Sequence, residues 1–450
     1  MKTVLIIAGS DPGAGAGLQQ DLKVATLLGT YGLTVVTALT VQNSRGVAAV
    51  HPAAPEVVAA QLDAVLQDFP VDAVKIGMLA TAAIADTVAG RLKKLEQVPI
   101  ILDPVLAAGH GFPLLEDAGV PIMVRELFPF TTLLTPNATE AARLTGLTVE
   151  TPEQLEDAAR RLQALGPRWV LAKGGHLPGD PVDILTDGKN TYRLQGTRLN
   201  APHNHGSGCL LATACAAHLA RGLSVPEAVN QARRLVVQAL RWGLPLGKGK
   251  GPVNPYAPFA RDLERYAALE ALTAAAVRLQ QEDISPLIPE VMTNLGYATL
   301  YPEGPQDVAA FPGRLLKSPQ GVIIPVAPAF GASRRLAAAI LSAMQTHPEL
   351  RAAMNIRFLA EIDRLAPLLH LRTASFDPAP EPRETQEEGG APAWGPPLRL
   401  KAGELPPDLI YHRGGWAREP MILILGESPM AVAEKALALK NALTAAGKSG

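Results

Sequence analysis

Over roughly its first 250 residues the chain alternates short β-branched, apolar runs with alanine- and leucine-rich stretches at helical spacing. That alternation restricts it to a mostly parallel sheet covered by helices, an α/β fold. The strand candidates are Thr3 to Ala8, Leu33 to Thr40, Ala73 to Ile76, Pro99 to Leu102, Thr131 to Leu134 and Trp169 to Ala172. After them, Asp183 to Leu185 and Thr191 to Leu194 flank the turn-rich Asp187-Gly188-Lys189-Asn190, which predicts a hairpin at the sheet edge. Gly247 to Pro258 is rich in Gly and Pro and has no helical period, so a domain boundary is expected there. The second part, from residue 263 to 450, predicts a smaller α/β domain. It has a helix through Ala276, another over Arg335 to Met344, a strand over Met421 to Leu425 and a final alanine-rich helix. Within it Asp377 to Pro397 concentrates Pro, Glu and Gly, a composition that predicts an exposed, mobile loop.

A chain of 450 residues suits two domains, and 48% apolar against 18% charged residues is enough for full cores. The formal net charge of −1, mixed along the sequence, offers no field for nucleic acid or anionic lipid, and neither partner is expected. Lys2 to Ala8 reads directly as a strand with no basic leader, and no apolar run approaches the roughly 20 residues that span a bilayer. Cys209 and Cys215 lie about 9 Å apart in helical rise, beyond disulfide reach. Reduced thiols and a cytoplasmic location are expected.

Two glycine-rich turns carry the chemistry. Gly9-Ser10-Asp11-Pro12-Gly13-Ala14-Gly15-Ala16-Gly17 joins a strand to a helix and lets backbone N–H groups approach a ligand. It lacks the second-strand acid of a dinucleotide fingerprint and the terminal Gly-Lys-Ser/Thr of a phosphate loop, and a purely structural turn is the alternative. Asn204-His205-Gly206-Ser207-Gly208-Cys209 opens a helix of small residues and forms an anion hole, with N–H groups and the helix dipole aimed at a transferring phosphoryl group. The same field is expected to lower the pKa of Cys209 and make it a base, against the alternative of a small buried hydrophobe.

Together with Gly15-Ala16-Gly17-Leu18-Gln19-Gln20-Asp21-Leu22-Lys23, Lys75-Ile76-Gly77-Met78-Leu79, Leu102-Asp103-Pro104-Val105, Thr135-Pro136-Asn137 and Lys173-Gly174-Gly175-His176, these turns resemble the hydroxymethylpyrimidine and phosphomethylpyrimidine kinases of the ribokinase-like superfamily, over residues 1–258. The resemblance implies a ribokinase-like central, mostly parallel sheet flanked by helices. It also implies ATP and Mg2+ as cofactors, two successive phosphorylations of a hydroxymethyl aminopyrimidine, and a homodimer. Gly9, Asp21, Gln42 and Met78 would hold the pyrimidine, and the amide of Gln42 suits an aminopyrimidine edge because it both donates and accepts. A solvated first-turn carboxylate is the alternative for Asp21. Asp103 would hold magnesium, with Glu140 behind it. Lys173 would reach the nucleotide phosphates, unless it is an ordinary surface lysine, and Asn137 would either contact the nucleotide or cap its helix. Gly206, Gly208 and Cys209 would carry the catalysis. An aspartate stands at the cysteine's place in most sugar kinases of the superfamily, so the cysteine points to the vitamin-kinase branch, where pyridoxal kinases are the nearest competitor.

From about Leu263 to Leu437 the chain resembles the thiamine-phosphate synthase domain found fused to such kinases. The resemblance rests on Ile288-Pro289-Glu290-Val291, Pro312-Gly313-Arg314, Phe330-Gly331-Ala332-Ser333, Met354-Asn355-Ile356-Arg357, Ala374-Ser375-Phe376-Asp377 and Gly414-Gly415 to Glu419-Pro420-Met421. It implies that the pyrimidine diphosphate is joined to a thiazole phosphate with loss of pyrophosphate, and Arg314, Arg335 and Arg357 suit a polyphosphate. Arg334-Arg335 stands where that family carries a histidine. A thiamine-phosphate sensor without chemistry is therefore the rival reading, and His412 is either a substitute proton carrier or an exposed histidine without function.

Overall fold

The computed structural model describes residues 1–95, 97–109, 111–375, 405–414 and 419–447. The expected loop over Asp377 to Pro397 lies outside them, as do Phe376-Asp377 and Gly415. The chain divides into two compact units, Met1–Pro258 and Phe259–Gly450. Among the described residues no helix is long and apolar enough to cross a membrane.

The first unit contains strands β1 (Lys2–Ser10), β2 (Thr30–Asn43), β3 (Gly46–Pro52), β4 (Ala73–Ile76), β5 (Ile100–Leu102), β6 (Leu133–Leu134), β7 (Trp169–Ala172), β8 (Val182–Thr186) and β9 (Thr191–Gln195). They form one nine-stranded sheet in the order β3-β2-β1-β4-β5-β6-β7-β8-β9. From β2 to β7 neighbouring strands run parallel, and antiparallel pairs β2–β3, β7–β8 and β8–β9 close the two edges. Helices α1 (Gly17–Leu27), α2 (Pro55–Asp68), α3 (Ala82–Leu92), α4 (Gly119–Ile122), α5 (Ala138–Thr145), α6 (Pro152–Gln163), α7 (Ser207–Ala220) and α8 (Val225–Arg241) accompany the sheet. The central strands are buried on both faces, Val4 to Ile7 and Ile100 to Leu102 included, so they read in the sequence as unbroken apolar runs. The order reverses between β1 and β4, and that reversal opens a crevice at the carboxyl ends of the strands.

The strand expected at Thr131 to Leu134 is only Leu133–Leu134 in the sheet, and β3 was not among the sequence-read strands. β3 carries small and half-exposed residues and owes its conformation to pairing with β2 rather than to its own pattern. The Gly/Pro-rich stretch after residue 246 is not a free linker. His205 N–H donates to Gly251 O at 3.2 Å and Val253 N–H donates to His205 O at 3.0 Å, so the stretch straps the second glycine turn.

In the second unit, α9 (Ala257–Leu263) straddles the division and α10 (Arg265–Gln281) leads into β10 (Leu295–Ala298), β11 (Val308–Ala310), β12 (Leu316–Ser318), β13 (Gly321–Ile323) and β14 (Ala329–Phe330). There follow α11 (Arg334–Met344), β15 (Ala352–Arg357), α12 (Ile362–Leu368), β16 (Thr373–Ser375), β17 (Leu409–His412), β18 (Met421–Gly426) and α13 (Pro429–Gly447). Seven strands form a mixed sheet, β14-β11-β10-β15-β18-β17-β16, and β12–β13 is a separate hairpin. Alternation along β18 sends Ile422 and Ile424 to the core that includes Leu272 of α10 and Val432 of α13, and Leu423 and Leu425 to the face packed with Leu336 and Ile340 of α11. His412, expected to be exposed if idle, is buried at the end of β17 and accepts the Gly414 N–H at 3.2 Å.

One ion-pair cluster ties the sheet's edge to α13. Asp408, just before β17, accepts from Arg372 Nε at 3.0 Å and Lys435 Nζ at 2.7 Å. Burial works against the Asp408 carboxylate, but these cations and the Arg372 N–H hold its pKa down to about 2. A depressed carboxylate stabilises the fold above its unfolded pKa of about 4 and loses that contribution as pH falls toward the folded value. Asp408→Asn should therefore cost about 2 kcal/mol at pH 7. In denaturant titrations of the two proteins over a pH series the difference should shrink steadily below about pH 4.

Candidate active site

The sequence-read motifs converge because each follows the carboxyl end of a parallel strand. Gly9 and Asp11 lie at the end of β1, Met78 just after β4, Asp103 after β5, Asn137 after β6 and Lys173 after β7. They line a cleft together with Gln42, Lys75, Glu140, His205, Gly206, Gly208 and Cys209. A second, adjoining cleft is lined by Leu199, Leu211, Val236, Val237 and Leu240 on its apolar side and by His176, Lys250 and Arg198 on its polar side. Asn137, Lys173, Gly206 and Gly208 border both, so the two chambers meet at the start of α7.

That start is built as an anion site. Gly206 is left-handed at φ 83°, and a Cβ there would sit 1.8 Å from Gly15 O, so no other residue fits between the two glycine turns. The following N–H groups open the fourteen-residue α7. Lys173 Nζ, beside Gly208, donates to Asp103 Oδ1 at 3.1 Å, and Thr135 Oγ1 donates to the same oxygen at 3.0 Å. Burial works against the Lys173 ammonium, and the charges of Asp103 and Glu140 outweigh it and hold it protonated. Burial, aided by the charge of Asp103, pushes Glu140 up to about 7.

Asn137 and Glu140 form a capping box on α5. The Glu140 N–H donates to Asn137 Oδ1 at 2.9 Å, and the Asn137 N–H donates to Glu140 Oε2 at 2.8 Å. The Asn137 side chain is thus committed to the cap, while the residue borders both chambers. Met78 packs its sulfur against Gly9, 2.8 Å from where a Cβ would be, which leaves a flat wall between them. Gln42 lies 3.2 Å from the His205 ring.

Two expectations are corrected. Asp21 is neither a solvated carboxylate nor on the wall of the cleft: its side chain is fully buried, accepting from Lys75 Nζ at 2.6 Å and from Thr213 Oγ1 at 2.6 Å. Lys75 borders the cleft with its side chain equally sealed, and Asp21 holds that ammonium charged against the cost of burial. Cys209 is not a resident thiolate. Burial pushes its thiol up to about 11, more than the Lys75 charge and the Gly17 N–H pull it down, because desolvation of the thiolate exceeds the stabilisation at the helix start.

Of the second-unit arginines, two serve the same segment of chain. Arg314 donates to Val291 O and Arg357 donates to Pro286 O, so both tether the segment before β10. Arg335 is exposed in the first turn of α11, which follows the Gly331 turn held at Val308, the end of β11 opposite Arg314.

Sequence reasoning gave no role to Asp11, Lys75 or His205, although all three stand inside the quoted motifs. Asp11 accepts the N–H groups of Gly13, Gly15 and Ala16 at 2.8, 3.1 and 2.9 Å and closes the first turn on itself. The signal for Lys75 was a lysine inside an otherwise apolar central strand, a position that a long cation occupies only when paired. The apolar side of the second chamber had no signal, since α8 contributes residues outside its core-facing stripe.

Residues 11–254 match the family described as phosphomethylpyrimidine kinase. The chain belongs to the phosphomethylpyrimidine kinase family. Residues 271–438 match the family described as thiamine-phosphate synthase ThiN, so a kinase domain is followed by a synthase-family domain. The chain is 48% identical over 253 residues, 56% of its length, to the thiamine biosynthesis bifunctional protein ThiED of Geobacter sulfurreducens, of which it spans about half, 52%. It is 48% identical over 255 residues to the hydroxymethylpyrimidine/phosphomethylpyrimidine kinase of Mycobacterium bovis, covering 56% of this chain and 93% of that one. Among solved structures, the ADP complex of Bacillus subtilis pyridoxal kinase is similar at TM-score 0.54 and 32% identity, covering 58% of this chain and 99% of that one. The Staphylococcus aureus pyridoxal kinase in complex with AMP-PCP and pyridoxal is similar at TM-score 0.52 and 34% identity, over 56% and 93%.

Removing one partner of a buried ion pair leaves an uncompensated charge. Lys75→Met should lower the kinase domain's stability by about 3 to 5 kcal/mol in urea titration. Asp21→Leu combined with Lys75→Met should be more stable than Lys75→Met alone.

Proposed function

We propose that the first domain transfers the γ-phosphoryl group of ATP to the hydroxymethyl oxygen of 4-amino-5-hydroxymethyl-2-methylpyrimidine and then to the resulting monophosphate. The observation that carries this reading is the meeting of two chambers at the N-terminus of α7. One chamber has an apolar and amide-bearing wall suited to a small ring, and the other an apolar slot with a basic rim suited to a nucleotide. The kinase relatives crystallised with ADP and with AMP-PCP support ATP as donor.

In this reading Gly9 and Met78 stack on the pyrimidine and Gln42 reads its edge. The N–H groups from Gly206 to Cys209 accept the charge of the transferring phosphoryl group, and Lys173 bridges toward the nucleotide phosphates. Lys75 adds a fixed positive charge beside Cys209. Phosphoryl transfer through a loose transition state asks little of the nucleophile until the new O–P bond makes its proton acidic. The Cys209 thiol therefore orients the hydroxyl first, and its thiolate, the minor form at neutral pH, takes the hydroxyl proton late, as the new O–P bond forms and the bond to ADP breaks. Asp103 and Glu140 present hard oxygen donors whose mutual repulsion a cation would relieve, so they fit Mg2+ and would hold it; when bound it would neutralise the phosphate oxygens.

For the second domain we propose thiamine-phosphate synthase activity, joining the pyrimidine diphosphate to the thiazole phosphate through its ring nitrogen with loss of pyrophosphate. The second reading, a thiamine-phosphate sensor, is favoured by one observation: the first turn of α11 carries Arg334 and Arg335, which cannot exchange a proton near neutral pH.

The purified full chain with Mg2+, ATP, the hydroxymethyl aminopyrimidine and thiazole phosphate should yield pyrimidine mono- and diphosphate, followed separately by chromatography. Thiamine phosphate in the same mixture supports the synthase; diphosphate accumulating alone supports the sensor. An absence of pyrimidine phosphates would refute the kinase reading. Cys209→Ala should lower kcat about 100-fold. It should also flatten the rise of rate with pH above neutrality that the wild-type thiol gives, since that thiol titrates at about 11.

A further inference from the structure

Asp11, His205 and Gln42 meet on the pyrimidine side of the cleft, and their donors and acceptors can be counted. The Asp11 carboxylate is ionised and only accepts: burial works against its charge, but His205 and the N–H groups of Ala16 and Gly13 bring its pKa below the ordinary value. His205 Nε2, 3.1 Å from Asp11 Oδ2, therefore carries a proton. The same nitrogen lies 3.2 Å from Gln42 Nε2, which also only donates. At the other end of the amide, Gln42 Oε1 lies 3.3 Å from Thr40 Oγ1, whose single proton already goes to Ser10 O at 2.9 Å. Two donors face each other at one end and two acceptors at the other. Oxygen and nitrogen of a side-chain amide are told apart by their partners, and one half-turn of the amide sets a donor opposite Thr40 and an acceptor opposite the His205 N–H, whose one proton Asp11 Oδ2 and the amide oxygen then share.

We propose that His205, oriented by Asp11, is a positioning residue that fixes the Gln42 amide with its oxygen toward His205 and its nitrogen toward Thr40, and that this orientation sets which way round the ring lies. The His205 backbone is strapped between Gly251 and Val253, and its ring lies so close to the first turn that a Cβ on Gly15 would be 2.4 Å from Cδ2.

The consequence for substrate choice rests on the kinase reading above. The Gln42 oxygen, on the side of Gly206 and the start of α7, accepts from the ring's 4-amino group. The Gln42 nitrogen, on the Thr40 side, donates to the adjacent ring nitrogen. The hydroxymethyl group neighbours the amino group on the ring, so this register carries it toward Cys209, and the reversed register carries it away. Pyridoxal bears an aldehyde next to its hydroxymethyl group, and its oxygen would meet the Gln42 oxygen as acceptor against acceptor. The amide orientation thus selects an amino-bearing ring.

The test measures kcat/KM of the full chain for the hydroxymethyl aminopyrimidine and for pyridoxal, with the KM for ATP, in wild type, His205→Leu, His205→Gln and Thr40→Val. The ratio of pyrimidine to pyridoxal should fall about tenfold or more in His205→Leu with the KM for ATP little changed. It should recover in His205→Gln, whose amide donates from nearly the same place, and should fall less steeply in Thr40→Val. An unmoved ratio in both His205→Leu and Thr40→Val overturns the inference, however much rate is lost. If His205→Leu does not fold, Thr40→Val, which keeps the shape of the strand, decides. A wild-type chain that phosphorylates no pyrimidine would sink the kinase reading itself; one that does, with the ratio unmoved, sinks only the role of His205.

Discussion

The buried triad of Asp21, Lys75 and Thr213 organises the kinase domain. It joins α1, β4 and α7 at a point with no exposed surface, and charges are tolerated there because each finds a partner at 2.6 Å. From that anchor the sealed Lys75 ammonium lies beneath the cleft, and Cys209 comes to lie within reach of its fixed positive charge. An apolar pair of equal volume would fill the same space without placing a fixed charge beside Cys209.

The two glycine turns depend on each other in the same way. Gly206 fits only because nothing projects from its α-carbon toward Gly15 O, and Gly15 fits only because nothing projects toward His205. The chain after residue 246 closes over this contact through Gly251 and Val253, which makes a stretch that looks like a linker part of the site. Rigid backbone at the meeting of the two chambers lets N–H groups act without reorganising during the reaction.

The second domain reaches its sheet differently. Its strands are short and its apolar residues alternate between two covered faces, so the helices on either side define the sheet as much as the strands do. Of the arginines that sequence reasoning gathered for a phosphate, Arg314 and Arg357 hold backbone carbonyls at one end of the sheet and Arg335 is exposed at the start of α11. Spacing along the chain carries no information about which end of a mixed sheet a side chain reaches, because antiparallel neighbours reverse direction.

By itself the sequence determined the parallel sheet, since unbroken apolar runs joined by helices admit little else. It also determined most of the cleft, since Gly9, Met78, Asp103, Asn137 and Lys173 each stand just beyond a strand, where an open α/β sheet gathers its ligand groups. The tertiary structure decided what depends on environment. Asp21 was legible as a motif residue, but only packing shows it sealed beneath the cleft. Cys209 was legible at a helix start, but only its burial shows that desolvation outweighs the dipole. Asp11, His205 and Gln42 are 194 and 163 residues apart across their two contacts, and the hydrogen bonds that orient the amide exist only once the fold has brought them together.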